Sequence, residues 1–351
     1  MNQDNYFKRV HKQTPTRFWV NNVTRDEARM AIDAGAVGCT QNPSYTSKMF
    51  SHKDEKAYTM EKLDKILETE KDDSEAQLKL QRELVSKIAE IFMPIYERSG
   101  KKSGYVSIQG DPFKEDTDTI IRHVRYNCEK WPNIMAKIPV TKDGLKAFEV
   151  LVEEGLPINA TEVMAVRQAL DVCKVYEKVS RKIKNPVPVY FSHITGIYDE
   201  YLKNYVSEKN IDISQDVLWH AGISIAKKVY WMVKENKYQV GFIGGGARGL
   251  HHFTEMVGAD CCVTINWKGT ADELILQDQP VVQHFLRPTP FSIVDELLEK
   301  VEDYKRGYLV NAIKPEEYEE FGPVVFFRKM FESAWSSTLD IIKQRRVDLG
   351  L

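Results

Sequence analysis

Eight short apolar runs, each followed by a longer stretch of different pattern, most constrain what this chain of 351 residues can fold into. Most of the runs are continuously apolar, which is typical of strands covered by helices on one side and packed inward on the other. In chain order they are FWVNN (18–22), VGCTQN (37–42), YVSIQG (105–110), IMAKIPV (134–140), INATEVM (158–164), VPVYFSH (187–193), QVGFIGG (239–245) and CCVTIN (261–266).

The stretches between the runs have the periodicity of amphipathic helices. In TKDGLKAFEVLVEEG (141–155), Leu145, Phe148 and Val152 lie on one helical face, and Gly155 is a typical stop. Strands that alternate with helices predict an α/β fold with a parallel sheet and right-handed crossovers. The count of eight favours a closed (β/α)8 TIM barrel, and a doubly wound open sheet is the alternative.

Two segments exceed a minimal barrel, residues 43–104 and residues 270–351. Both are rich in charged helical patterns, and neither has the composition of a flexible linker. We therefore predict a single (β/α)8 barrel domain over residues 1–351, with a helical insertion at 43–104 and a C-terminal helical extension at 270–351. The extension could form a lid.

The composition excludes several classes of partner. With 49 basic and 51 acidic residues, the chain has no global field that would attract nucleic acid or an anionic membrane. No apolar run approaches the ~18 residues of a membrane span, and the N-terminus lacks the apolar core of a signal peptide. Five cysteines without CxxC spacing argue against a zinc site or a disulfide framework. We expect a cytoplasmic protein that binds neither nucleic acid nor membrane.

Lys137 is the candidate for chemistry, because it interrupts the otherwise apolar strand NIMAKIPV (133–140). Burial lowers the pKa of a lysine and leaves a free amine, the form that attacks a carbonyl to make a Schiff base. The alternative is a lysine at a sheet edge that extends to solvent. A central strand of a closed barrel has no such edge.

Three polar residues lie near the ends of two other runs. Asn42 is followed by proline, which forces an extended backbone and holds the amide at the barrel mouth. Asn159 and Thr161 share one face of their strand by the period of two. An Asn-Pro turn without a ligand, and core polar groups satisfied by the protein, are the alternatives.

The glycine cluster GGGARG (244–249) follows the seventh run. Its backbone N–H groups could approach an anion, and Arg248 could bind a phosphate with two hydrogen bonds. It does not fit a dinucleotide-binding turn, because the strand that follows it is the last one. His251 and His252 lack metal-ligand spacing and are expected on a helix surface.

In this order the segments resemble the transaldolase family of Schiff-base-forming barrels, from about residue 18 to residue 267. Similar to the family's motifs are GCTQNPS (38–44), the long lysine block NIMAKIPVTKDGLKAFEVLVEEGLPINATEVMAVRQAL (133–170), and GGGARG with GADCCVTIN (258–266). The lysine block is long and specific, and the others gain weight from their order.

The resemblance implies a transaldolase or class I aldolase-type transferase of carbohydrate metabolism, in the pentose phosphate pathway. Lys137 would form an imine with the carbonyl of a sugar or sugar phosphate. Asn42 and Asn159 would hold substrate hydroxyls, Thr161 would order a catalytic water, Ser192 would line the pocket, and Arg248 would bind the phosphate. The resemblance implies no metal and no organic cofactor, because the protonated imine is the electron sink. A homo-oligomer is compatible with it.

Four positions depart from the family's pattern. Asn21 stands where an aspartate acts as general base, and an amide cannot take up a proton in that way. Gln109 replaces a glutamate, as it does in some aldolase-type members. Ile197 lies near the place of a second phosphate arginine, and Gly246 replaces a serine of the glycine turn.

The missing acid leaves the general base open. Asp111, two residues past Gln109 on the same strand face, is the nearest replacement. His193 and Glu162 are further candidates, although strand parity points both away from the barrel axis unless the strand ends there.

The sequence supports two functions of different class. The first is an enzyme that transfers a three-carbon dihydroxyacetone unit (transaldolase) or releases it (an aldolase acting on a fructose 6-phosphate type of substrate). The second is a sugar-binding or regulatory barrel that keeps Lys137 but has lost its acids, as Asn21 and Gln109 suggest.

Overall fold

The computed structural model describes residues 4–184 and 186–351, and in them eight parallel strands close into a barrel. Each strand pairs with its neighbours in the sequence, and the last strand pairs with the first. The strands are β1 (Arg17–Asn21), β2 (Cys39–Thr40), β3 (Val106–Gln109), β4 (Ile134–Pro139), β5 (Ile158–Val163), β6 (Val189–His193), β7 (Gly241–Gly244) and β8 (Cys262–Asn266). The predicted closed barrel is confirmed, and the open sheet is wrong.

Helices cover the barrel and its C-terminal end. Those up to β5 are α1 (Tyr6–Gln13), α2 (Arg25–Ala34), α3 (Tyr45–Ser51), α4 (Lys56–Leu67), α5 (Asp73–Arg98), α6 (Thr117–Cys128) and α7 (Lys142–Glu153). Those after β5 are α8 (Val166–Ser180), α9 (Thr195–Glu208), α10 (Gln215–Leu218), α11 (Ala221–Glu235), α12 (His251–Thr254), α13 (Asp272–Gln277), α14 (Phe291–Lys300), α15 (Glu302–Tyr308) and α16 (Gly322–Leu349).

Helix boundaries follow local side-chain chemistry. At the start of α2, Thr24 accepts from the N–H of Glu27 while the Glu27 side chain accepts from the N–H of Thr24, a reciprocal capping box. The same helix ends at Gly35, whose left-handed φ of 113° costs glycine little. Thr141, the first residue of the pattern that predicted α7, caps this helix by accepting from the N–H of Gly144.

The interior of the barrel is apolar at one end and polar at the other. Alternate residues of each strand face inward, so the pairing register fixes which side chains meet. Near the N-terminal ends of the strands, the rings of Trp19 and Tyr190 pack 5.7 Å apart with Met135 close by. Towards the C-terminal ends, the inward positions of the strands are mostly polar, and chemistry in barrels of this kind occurs there.

The helical additions predicted at 43–104 and 270–351 are present as α3 to α5 and α13 to α16. The last helix, α16, packs against α3, α5, α9 and the end of β5, so it lies across the C-terminal mouth. Arg345 pairs with Asp64 of α4 at 2.7 Å, and Arg346 with Asp73 of α5 at 2.6 Å. These ion pairs join the two additions to each other. The single-domain organisation itself stays a prediction.

Two features expected from the composition can be compared with the structure. All five cysteines carry free thiols, and the adjacent Cys261 and Cys262 are buried, as expected of small apolar residues. Within the described part of the chain, no helix combines the length and the apolarity that crossing a membrane requires.

Gly38 leaves room for the indole of Trp19 inside the barrel. A Cβ at position 38 would lie 2.3 Å from Trp19 Cε2, and that ring is fully buried. Gly38→Ala should therefore lower the free energy of unfolding by about 1–3 kcal/mol, measured by denaturant titration. In a Trp19→Phe background, which has a smaller ring, the same change should cost less. An equal cost in both backgrounds would contradict the steric explanation.

Candidate active site

A cavity of about 190 Å³ opens at the C-terminal ends of the strands, beneath α16. Seven of the residues singled out from the sequence line it: Asn21, Asn42, Lys137, Ser192, Ile197, Gly246 and Arg248. The cavity is closed from above by Phe327, Met330 and Phe331 of α16. The tail thus contributes apolar walls to the place where the polar strand ends meet.

Lys137 lies on β4, between Gln109 of β3 and Asn159 of β5 in the pairing register. It is only 6% exposed, and its Nζ lies 5.7 Å from the ring centre of Phe331. Burial lowers the pKa of Lys137 to about 8, and the nearby charge of Glu162 partly opposes that shift. A substantial fraction of the amine is therefore uncharged, and nucleophilic, near neutral pH.

Asn42 is held in place by its own turn. Its Oδ1 accepts from Asn22 Nδ2 at 2.9 Å and from the N–H of Ser44 at 3.0 Å, and its N–H donates to Asn22 Oδ1 at 3.1 Å. These bonds occupy the oxygen of the amide. Its NH₂ group remains as the donor that a ligand in the cavity could accept from.

Asn159 and Thr161 on β5 and Ser192 on β6 provide polar groups beside the strand of Lys137. Ser192 Oγ donates to Asn159 Oδ1 at 2.7 Å. Asn159 Nδ2 and Thr161 Oγ1 are buried, and neither has a hydrogen-bond partner among the described residues. Leaving a buried polar group unpaired costs about 1–3 kcal/mol, so these atoms are suited to a bound water or substrate.

Asn21 takes part in a neutral hydrogen-bond network across the mouth. Its Oδ1 accepts from Thr40 Oγ1 at 2.9 Å, and its Nδ2 donates to Asn266 Oδ1 at 2.9 Å. The hydroxyls of Thr40 and Thr264 lie 2.7 Å apart. The position where an acid was expected from the resemblance is thus built from amides and hydroxyls.

Glu162 turns into the barrel, contrary to the parity argument. The register between β5 and β6 shifts between Ala160 and Val163, and Glu162 has a left-handed φ of 62°. This irregularity breaks the alternation of the strand, as a β-bulge does. Glu162 is fully buried and its Oε1 accepts from Gln109 Nε2 at 3.0 Å. Burial raises the pKa of its carboxyl.

Glu115 is a site residue that the sequence analysis missed. It lies in the loop between β3 and α6, and it lines a small second cavity together with Gln109 and Lys137. Both carboxylate oxygens are buried, without a partner in the described chain. Burial and the charge of Glu162 raise its pKa well above the usual range. No local pattern marks this loop glutamate, because only the fold brings it to Lys137.

The other two candidate bases are engaged elsewhere. Asp111 lies beyond the end of β3, where it accepts from Ser74 Oγ at 2.8 Å and from the N–H of Phe113 at 2.9 Å. His193 is fully buried between the carbonyls of Val163 and Gly222, at 3.0 and 3.1 Å, and burial lowers its pKa to about 4. Neither side chain is directed at the main cavity.

At the other end of the cavity, the charge of Arg248 is partly neutralised. Arg248 Nε donates to the carboxylate of Glu200 on α9. Gly246 has a left-handed φ of 65°, and a Cβ there would lie 2.5 Å from Ile194 Cγ2 and 3.0 Å from Ile197 Cγ1. The two isoleucines thus occupy the space that a serine at 246 and a second arginine would need.

His251 and His252 were expected on a helix surface, and for His252 this prediction is wrong because the side chain is buried. His252 is 2% exposed, its Nδ1 accepts from the N–H groups of Arg248 and Gly249 at 3.2 and 3.1 Å, and its Nε2 lies 3.0 Å from Asp199 Oδ2. It therefore fixes the glycine turn. Asp199, His251 and His252 bring potential metal ligands within 4.8 Å of one another, but hydrogen bonds already use both nitrogens of His252. The absence of a metal stays a prediction.

Comparison with known proteins agrees with this geometry. The family model of Transaldolase/Fructose-6-phosphate aldolase matches residues 18–305. The chain belongs to this family. The prediction of an aldolase-type transferase is therefore confirmed at the level of the family.

The curated relatives are distant. A transaldolase of Thiobacillus denitrificans is 23% identical over 253 residues, which cover 66% of this chain and 68% of that protein. A transaldolase of Helicobacter pylori is 25% identical, with 62% and 66% covered, and one of Mycobacterium leprae is 27% identical, with 65% and 62% covered. The matches thus span about two thirds of the length of these relatives.

The apolar cover that α16 provides should control the acidity of Lys137. Phe331→Ala admits water to the amine, so the pKa of Lys137 should rise from about 8 towards the ordinary lysine value of about 10.4. The measurement is the pH dependence of Lys137 labelling by a small amine-reactive reagent, quantified by peptide mass spectrometry. Phe291→Ala, at a phenylalanine that is 85% exposed, is the control. An unchanged midpoint in Phe331→Ala would show that α16 does not desolvate the amine.

Proposed function

We propose that the protein is a transaldolase-type enzyme. Lys137 forms a Schiff base with the carbonyl of a ketose, and the enzyme passes a three-carbon dihydroxyacetone unit to an acceptor aldehyde. The observation that carries the proposal is one buried lysine, with a pKa lowered to about 8, among polar strand ends in a covered cavity. Family membership supports the same chemistry.

The reaction begins with attack of the free amine on the ketose carbonyl. The resulting carbinolamine loses water and becomes a protonated imine, which withdraws electrons from the neighbouring carbon. The C–C bond can then break, because the electron pair it leaves is delocalised into the imine. The hydroxyl of the departing carbon becomes the aldehyde carbonyl, and its proton passes through bound water to the carboxylate of Glu162, whose charge acts on Lys137. The bound unit leaves by adding to an aldehyde, or by protonation and hydrolysis.

The other residues have binding roles in this proposal. The NH₂ group of Asn42 and the unpaired Nδ2 of Asn159 donate to substrate hydroxyls, and Ser192 fixes the orientation of Asn159. Thr161 Oγ1, buried without a partner in the described chain, orders a water beside the amine. The network around Asn21 binds hydroxyls rather than removing their protons.

The position of α16 favours transfer over simple release. Phe327, Met330 and Phe331 cover the cavity, and a site without free water protects the bound three-carbon unit from hydrolysis. Family membership and the free cysteines also support a cytoplasmic enzyme of carbohydrate metabolism. A sugar-binding barrel that keeps its lysine is the second candidate, favoured by the amides at Asn21 and Gln109.

Borohydride trapping tests the Schiff base directly. Incubation with fructose 6-phosphate or dihydroxyacetone, followed by reduction, should leave a mass adduct on Lys137, and Lys137→Ala should abolish both the adduct and turnover. Lys227→Ala is a matched control, because Lys227 is also buried with a lowered pKa but its Nζ donates to the carbonyl of Arg287. An adduct without turnover would favour the sugar-binding barrel, and an adduct on another lysine would contradict the proposal.

The ion pair between Arg248 and Glu200 gives a prediction about phosphate. A phosphate must compete with Glu200 for the guanidinium, so Glu200→Gln should lower KM for a phosphorylated ketose by about threefold to tenfold, with kcat little changed. KM for an unphosphorylated ketose should stay the same. Equal changes with both substrates in steady-state kinetics would show that Arg248 does not bind the phosphate.

A further inference from the structure

Two buried glutamates lie beside Gln109. Glu162 accepts a hydrogen bond from it, and Glu115 lines a small cavity together with Gln109 and Lys137. We propose that Glu115 and Glu162 form an acid pair that shares one proton and serves Lys137 during formation and hydrolysis of the Schiff base. The pair would supply the acid–base function that a glutamate at position 109 would otherwise have. This inference rests on the proposed function.

The backbone places Glu162 with some strain. Its φ of 62° lies in the left-handed region, which costs a non-glycine residue conformational energy. An ordinary strand would have turned this side chain outward, away from Lys137. The irregularity between Ala160 and Val163 instead buries the carboxylate inside the barrel. A strained residue whose buried ionisable side chain contacts a residue of the site is typical of function.

The unpaired atoms around Gln109 are suited to one proton between the two acids. Its Nε2 donates to Glu162 Oε1, which therefore acts as an acceptor. Its Oε1 is buried, and no described residue donates to it. Both oxygens of Glu115 are equally unpaired, so a protonated Glu115 can donate to Gln109 Oε1 and satisfy two buried atoms at once. A glutamate at position 109 would place three acids together.

The surrounding charges allow the pair to keep that proton near neutral pH. Burial raises the pKa of both carboxyls, and the charge of Glu162 raises that of Glu115 further. The other charged groups that act on the pair are Lys137 from β4, Arg328 and Glu332 from α16, and Glu319 from the segment before it. Asp111, Lys114 and His123 also line the small cavity beside Glu115. Arg328 lowers the pKa of both acids, whereas Lys137 lowers only that of Glu162, and the pKa of Glu115 is the one raised well above its usual range, so Glu162 is the member that ionises first.

A route from the pair to the amine is visible. Lys137, Gln109 and Glu115 line a cavity of about 20 Å³, which has room for a single water molecule. A water there can receive the proton from Glu115 and pass it to a group bound at Lys137. The unpaired Thr161 hydroxyl lies on the neighbouring strand.

The proton of the acid pair is used when the carbinolamine loses water. In the carbinolamine the carbon bears a hydroxyl and the Lys137 nitrogen. The acid pair gives its proton to that hydroxyl through the water, the C–O bond breaks, and the nitrogen lone pair forms the C=N bond. The products are one water, the cationic imine and an ionised pair. Hydrolysis reverses the step, and the pair takes the proton back from the attacking water.

Glu115→Gln and Glu162→Gln test the proposal, with the rate of borohydride-trappable adduct on Lys137 as the measurement. Each variant should lower that rate by about 100-fold, the order of general acid catalysis. Glu162→Gln should also shift the rising limb of the pH–rate profile to lower pH, because Glu162 raises the pKa of Lys137. Glu27→Gln, a buried glutamate in a capping box that glutamine also supports, is the control that should leave rate and profile unchanged.

A double exchange separates proton transfer from structure. In Gln109→Glu/Glu162→Gln the two groups change places across their hydrogen bond, and the carboxylate returns to β3. This variant should form the adduct on Lys137 at least tenfold faster than Glu162→Gln does. Infrared spectroscopy gives a readout independent of activity: the stretch of a protonated carboxylic acid should be present at neutral pH and be lost in Glu115→Gln.

The outcomes distinguish this inference from the proposed function. If the unmodified protein forms the adduct and both single variants form it at the same rate with the same pH profile, the acid pair is wrong while the Schiff-base function stands. If the unmodified protein forms no adduct with any ketose, both the acid pair and the Schiff-base function are wrong. Absence of a protonated acid in the infrared spectrum would overturn the shared proton by itself.

Discussion

The desolvation of one amine is the constraint on which the rest of the site depends. Burial lowers the pKa of Lys137 to about 8, because β3 and β5 lie beside the side chain and Phe331 of α16 lies over its amine. A lysine on an open sheet would extend its ammonium to solvent and lose its nucleophilicity. The closed barrel and the C-terminal helix therefore have chemical as well as structural consequences.

The acids of the site are arranged in an unusual way around that amine. Amides stand at Asn21 and Gln109, where the family resemblance implies carboxylates. The carboxylates instead come from the bulge at Glu162 and the loop at Glu115, and Gln109 connects to Glu162 through a hydrogen bond of 3.0 Å. The site thus has carboxylates, but at positions other than those that the resemblance implies. A site that had lost its acids altogether would leave the amine without a neighbouring proton source.

The end of the cavity at Arg248 departs from the family's pattern in a different way. Arg248 remains, but it pairs with Glu200, and Ile194 and Ile197 fill the space beside Gly246. Its backbone turn is fixed from behind by the hydrogen bonds of His252. The Lys137 end of the cavity therefore keeps more of the residues that the family resemblance implies than the Arg248 end does.

The sequence by itself determined the barrel, its eight strands and the position of Lys137, because apolar runs, helical periodicity and a lone charge in a buried strand are local signals. It also placed Asn42, Ser192 and Arg248 at strand ends that share one mouth. Only the tertiary structure decided which acids reach the amine. The alternation of inward and outward side chains along a strand predicts the wrong direction for Glu162, because the register shifts between Ala160 and Val163. No sequence pattern marks Glu115, because only the packing of its loop brings it to the cavity that Lys137 lines.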